Sequence, residues 1–219
     1  MNKLTIFLFS IVTIFPLFAC QKNQVKTNDV DNKSYVNDFE LIQENRRNNT
    51  RIRITSPQAT LDPTNNNIEI TDSSIDILNT KGNDINIISG KSSLNNYKDL
   101  IRVYKHVKIS LINNKSYYII TDSFDWDLSK STIDLNNPLD INFDNTTISS
   151  LNGVYNIDSS ELEINNNIFN RNIFNKEGEQ IYQIKIIADL ARWNKDGNSL
   201  EFSSNDKQVE ATVDFLSIK

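Results

Sequence analysis

Five stretches of this chain repeat one pattern, and the repeat limits the possible folds more than any other feature. Each unit has an apolar residue, a small residue two positions on, a small or apolar position three later, then a large apolar anchor. Seven residues after the anchor comes an apolar-x-apolar pair. The units are Ile54, Ser56, Ala59, Leu61 with Ile68 and Ile70; Ile87, Ser89, Ser92, Leu94 with Ile101 and Val103; and Ile119, Thr121, Phe124, Trp126 with Ile133 and Leu135. Two more follow: Ile148, Ser150, Gly153, Tyr155 with Leu162 and Ile164, and Ile186, Ala188, Ala191, Trp193 with Leu200 and Phe202. Successive anchors are 33, 32, 29 and 38 residues apart, a period that signals stacked supersecondary units.

Within the units the apolar period is two. Ile52 and Ile54 alternate with Arg51 and Arg53, Ile68 and Ile70 flank Glu69, and Leu139 and Ile141 flank Asp140. That is the signature of strands buried on one face, and the β-branched enrichment agrees. Turn residues separate them at 62–65, 81–84, 113–115, 175–178 and 195–198. The step from small residue to small residue is odd, so a regular strand would turn the second one to the wrong face. A β-bulge or kink is therefore expected near Ser56–Ala59, Ser89–Ser92, Thr121–Phe124, Ser150–Gly153 and Ala188–Ala191. Each unit reads as a hairpin, and a lone hairpin cannot bury its face. The expected fold is all-β: an antiparallel, twisted β-jellyroll, two sheets folded over an apolar trough and built from about five hairpin-like repeats.

Residues 4–19 are an apolar run behind Lys3, short for a membrane span and suited to a secretory signal peptide over residues 1–19. Its end, Leu17-Phe18-Ala19-Cys20, resembles a bacterial lipobox, although Phe18 departs from the small residues usual there. The resemblance implies cleavage before Cys20 and acylation of that single cysteine, which leaves no partner for an intrachain disulfide. A buried thiol in an uncleaved anchor helix is the other reading. Either attaches the chain to a membrane from outside the cytoplasm. Residues 20–50 read as a polar tether, and residues 51–219 as the folded domain. Within the tether, Tyr35, Val36, Phe39, Leu41 and Ile42 fit a short strand or helix turn as well as a linker. Cleavage would remove Lys3 from the 23 basic residues, leaving 22 against 28 acidic ones, a net charge of −6. That balance speaks against nucleic acid and against adhesion to an anionic surface.

No residue set points to catalysis, a cofactor or a metal. His106 is the only histidine, so neither a His/Cys metal cluster nor a nucleophile–histidine pair can be assembled. The five glycines are scattered, without a phosphate loop. A polysaccharide-acting enzyme would need carboxylates clustered in a cleft, and Asp125 and Asp127 point away from the face of Trp126.

The unit of apolar-x-small, small-x-large and apolar-x-apolar, over residues 52–215, resembles the repeat of the LptC family of lipopolysaccharide export and its OstA-like relatives. Known members commonly keep an uncleaved transmembrane helix, from which the lipobox departs. The resemblance implies a membrane-anchored, periplasmic, non-enzymatic carrier on the inner membrane. It would bind lipopolysaccharide or a related glycolipid, taking it from LptF/LptG-like subunits of an ABC transporter and passing it to an LptA-like bridge protein by strand addition. The trough would be lined by Leu61, Ile68, Ile70, Leu94, Ile101, Val103, Trp126, Ile133, Leu135, Tyr155, Leu162, Ile164, Trp193, Leu200 and Phe202. Trp126 and Trp193, equivalent in register, would share it. Docking edges would be the strand of Ile52 and Ile54, facing the transporter, and that of Val209, Ala211, Val213 and Phe215, facing the bridge. From the residues alone, the same stripe also fits the closed sandwich core of a structural or adhesive surface lipoprotein.

Overall fold

The computed structural model describes residues 33–45, 50–79, 84–112, 116–194, 199–205 and 208–215; the leader and Cys20 lie outside them. The described residues form one antiparallel sheet of fourteen strands. In chain order they are β1 (Ser34–Asn45), β2 (Thr50–Asp62), β3 (Asn67–Asn79), β4 (Ile85–Asn95), β5 (Leu100–Leu111), β6 (Tyr118–Asp127) and β7 (Thr132–Leu135). Then come β8 (Leu139–Phe143), β9 (Thr146–Ser150), β10 (Asn152–Asn156), β11 (Glu161–Phe174), β12 (Gln180–Asn194), β13 (Ser199–Ser203) and β14 (Glu210–Phe215).

The repeat in the sequence is the register of this sheet. On one side of a central crease, Ile54, Ile75, Ile87, Ile109 and Ile119 are ladder partners in succession. The row continues through Ile141, Ile148, Phe169 and Ile186. On the other side, Leu61, Ile68, Leu94, Ile101 and Trp126 form a second row, continued by Ile133, Tyr155, Leu162, Trp193 and Leu200. The long strands cross the crease and contribute to both rows, while β7 and β8, β9 and β10, and β13 and β14 are crossings broken there. The expected two sheets are thus two leaves of one sheet, an isoleucine leaf and an anchor leaf, folded face to face.

Local chemistry explains the constant spacing of seven. Each anchor pairs with the residue seven positions on across a four-residue loop, as Leu61 with Ile68 and Trp126 with Ile133. The residue after each anchor is Asp or Asn, and in the first four units its side-chain oxygen accepts a loop amide: Asp62 from Thr64, Asn95 from Lys98, Asp127 from Ser129 and Asn156 from Asp158. These are Asx turns. The last loop residues Asn66, Asp99, Ser131 and Ser160 all have positive φ, closing loops too tight for extended backbone alone.

At the crease, burial parity breaks as the odd step requires. Ser56 and Ala59 are both buried, as are Ser89 with Ser92, Thr121 with Phe124, and Ala188 with Ala191. The left-handed residues, however, sit on the neighbouring strands: Asp38 in β1, Asp72 in β3, Lys105 and His106 in β5, and Asn166 in β11. The small-residue strands instead stitch the crease with hydroxyls. Ser56 Oγ donates to the carbonyls of Gln58 and Thr71, Thr121 Oγ1 to that of Pro138, and Ser150 Oγ to those of Asn152 and Asn165. Ser89 Oγ bonds the carbonyl of Lys91 and meets Ser73 Oγ at 2.7 Å. Gly153 is required by close approach: a Cβ there would lie 2.6 Å from Ile164 Cγ2 and 2.7 Å from the Glu163 carbonyl.

Two expectations are corrected. Ser34–Asn45 is a strand of the sheet, so the folded part begins inside the stretch read as tether. Because β1 pairs along the whole length of β2, the strand of Ile52 and Ile54 is not an edge; both isoleucines are buried in the core. Among the described residues the outer side of β1 is the first edge instead. At the other end, among the described residues β14 pairs only with β12, and Ala211, Val213 and Phe215 lie on that edge strand with Val209 just before it.

Candidate functional site

The interior between the leaves contains a small apolar cavity of about 60 Å³, open to solvent on one side. The anchor leaf contributes Ile133, Leu135, Tyr155, Leu162 and Trp193, all among the expected trough residues. The isoleucine leaf supplies the facing wall, including Ile85, Ile109, Leu111, Ile119 and Ile141. Polar contributions are few: Ser110, Asn142 and Ser160, with Tyr117 and Tyr118 toward the free ends of the strands.

The fifteen expected trough residues share one face but not one environment. Ile70, Leu94, Ile101, Val103, Trp126, Ile133, Leu135, Leu162 and Ile164 are buried, whereas Leu61, Ile68, Tyr155, Trp193, Leu200 and Phe202 are half-buried. The anchor leaf is buried most fully over β4–β7, and the cavity lies against residues of β4–β8 and β10–β12. Trp126 is 1 % exposed and packs in the core, while Trp193 lies on the cavity wall, so the two tryptophans share a row but not the cavity.

Sequence reasoning missed the facing wall. Part of it was legible, since Ile119 opens the third unit seven residues before Trp126. Tyr117 and Phe143 belong to no repeat position and gave no signal. Their rings stack, with centroids 5.8 Å apart, and Phe143 stacks in turn on Trp193 at 6.0 Å with planes 8° apart.

The charges lie on the outer faces and loops. Arg102 forks onto both oxygens of Asp125 at 2.7 and 3.1 Å, and Arg192 bridges Glu161 and Glu163 at 2.9 and 2.8 Å. In the β6–β7 loop, hydrogen bonding from Ser129 and then Lys130 holds the Asp127 carboxyl down at about 2. Burial, and then Asp144, raises the Tyr117 phenol above its ordinary value. Among the described residues no group of three or more His, Cys, Asp or Glu side chains is placed to hold a metal ion. The cavity therefore offers apolar contact and exclusion of water, with charge outside.

Residues 4–172 match the family described as Lipopolysaccharide-assembly, LptC-related. No curated protein matches the sequence. The match spans more than half of the chain and ends within β11, while the same ladder register continues through β12 and β13. The chain belongs to the LptC-related family, which is associated with the periplasmic face of the inner membrane, and is a component of lipopolysaccharide export.

Proposed function

We propose that this chain carries lipopolysaccharide, or a related glycolipid, with acyl chains held between the two leaves and the sugar head left in water. The apolar cavity between the leaves, lined from β4 to β12, carries this reading. Each methylene moved from water into such a site gains about 0.8 kcal/mol, and a wall with few polar groups asks nothing of the chain but its shape. In this reading the lipid comes from LptF/LptG-like transporter subunits at the β1 edge and leaves for an LptA-like bridge protein at the β14 edge. Support for the second step is the unpaired side of β14, where Val213 is 47 % and Phe215 80 % exposed, a template for strand addition. Acylated Cys20 would hold the chain at the membrane.

A competing reading is a structural or adhesive lipoprotein with a closed sandwich core, favoured by the full burial of Leu94, Ile101, Val103 and Trp126 in the anchor leaf. A photo-crosslinking amino acid separates the two. Placed at Leu111 or Tyr155 on the cavity wall, it should capture lipopolysaccharide, whereas outward positions Glu69 and Asp134 should capture little. Capture only at the outward positions would sink the carrier.

A further inference from the structure

The leaves are joined along the crease, so the mouth of the cavity lies at their free ends, and three aromatic rings meet there. Tyr117 precedes β6 and Phe143 ends β8, both at the free end of the isoleucine leaf. Trp193 lies one residue from the end of β12, at the free end of the anchor leaf. Strand β8 pairs with β6 and β9, and β12 with β11, β13 and β14, so the stack of Phe143 on Trp193 runs from leaf to leaf with no ladder beside it. All three rings are half-buried, and the Tyr117 hydroxyl donates to Asp144 Oδ2 at 3.2 Å, which braces the outer ring. Tyr117 and Trp193 line the cavity, whereas Phe143, the middle ring, does not. Phe169 and Phe202 also meet across the leaves, edge to face, but from rows adjoining the crease, where the leaves cannot part.

The geometry points to a clasp: the Tyr117–Phe143–Trp193 stack narrows the mouth of the cavity, and its parting sets the rate at which an acyl chain enters from the side. The clasp rests on the carrier reading and deepens it by naming the gating residues. Nearly parallel rings without a hydrogen bond between them can separate without leaving a buried polar group unpaired, so the closed state costs little to open.

The test uses the full chain with the crosslinker at Leu111 and purified lipopolysaccharide as probe, comparing the parent with F143A and F143Y. F143A removes the middle ring without altering the cavity wall, and capture should become roughly tenfold faster, the factor expected for losing ring contacts of this kind. F143Y keeps the ring and should keep the slow rate. In a W126F background Trp193 is the sole tryptophan, and its emission should change as capture proceeds. Equal rates in all three chains, or Trp193 emission that ignores loading, would overturn the clasp while leaving the cavity reading intact. No capture at Leu111 in any chain would remove both.

Discussion

At the scale of the residue, the repeat is carried by hydroxyls and Asx side chains as much as by apolar anchors. Ser150 is buried and donates to two carbonyls, one of them across the ladder at 2.6 Å. Ser150→Ala should remove this shared bond, with the Asn165 carbonyl still accepting from the Leu151 amide at 3.2 Å, and cost about 0.5–1.5 kcal/mol in chemical denaturation. In the fifth unit the position is Ala188, opposite Asn167, whose Oδ1 is buried without a partner. Ala188→Ser should therefore cost less than about 0.5 kcal/mol or stabilise the protein. Asp127 makes a pH prediction. Its carboxyl sits at about 2, below the ordinary carboxylate value of 3.8, so the folded state favours the charged form. The contribution is complete above about pH 4 and disappears as pH falls toward 2. Stability curves of the parent and Asp127→Ala should differ most above pH 4 and converge in acid. The Asp or Asn after every anchor was readable in the sequence; the left-handed residues at the crease were not, because Asp38, Asp72, His106 and Asn166 are of types that favour positive φ but Asp and Asn recur throughout the chain, and Lys105 is not of such a type.

At the scale of the element, β1 shows how a strand escapes a period-two reading. Val36, Phe39 and Leu41 are turned inward, opposite Ala59, Ser56 and Ile54, but Asp38 at φ 53° breaks the alternation between the first two. The segment then looks like a polar linker with stray apolar residues. Its role is to cover β2. A chain starting after residue 46 should expose the long, apolar β2 edge and self-associate, seen as dimers or larger species in sedimentation velocity; a stable monomer would show that another segment covers that edge. Arg53 paired with Glu40 at 2.7 Å is a surface bond worth at most about 1 kcal/mol, so the covering rests on the backbone ladder.

At the scale of the whole molecule, one continuous sheet creates two different interiors. The anchor leaf is packed most fully over β4–β7, while the cavity reaches from β4 to β12, so a packed part supports a part that can admit a ligand. Binding to the folded state alone should raise its stability by about 2.7 kcal/mol at a hundredfold excess over Kd. For a chain of this length that is a rise in Tm of about 5–10 °C with added lipopolysaccharide. An unchanged Tm at saturating lipid would argue for the closed-core reading.

The sequence by itself determined the strands, their pairing across each hairpin and the apolar face they share, because alternation, the seven-residue spacing and Asx turns act over a few neighbouring residues. It carried enough of the repeat to show the family resemblance, and the two tryptophans could be placed in one row. Only the tertiary structure decided which strands are edges, where the face is closed, and that Phe143 meets Trp193 across the mouth. Those outcomes depend on what an opposing leaf presents, and residues in opposite leaves are linked by no fixed spacing along the chain.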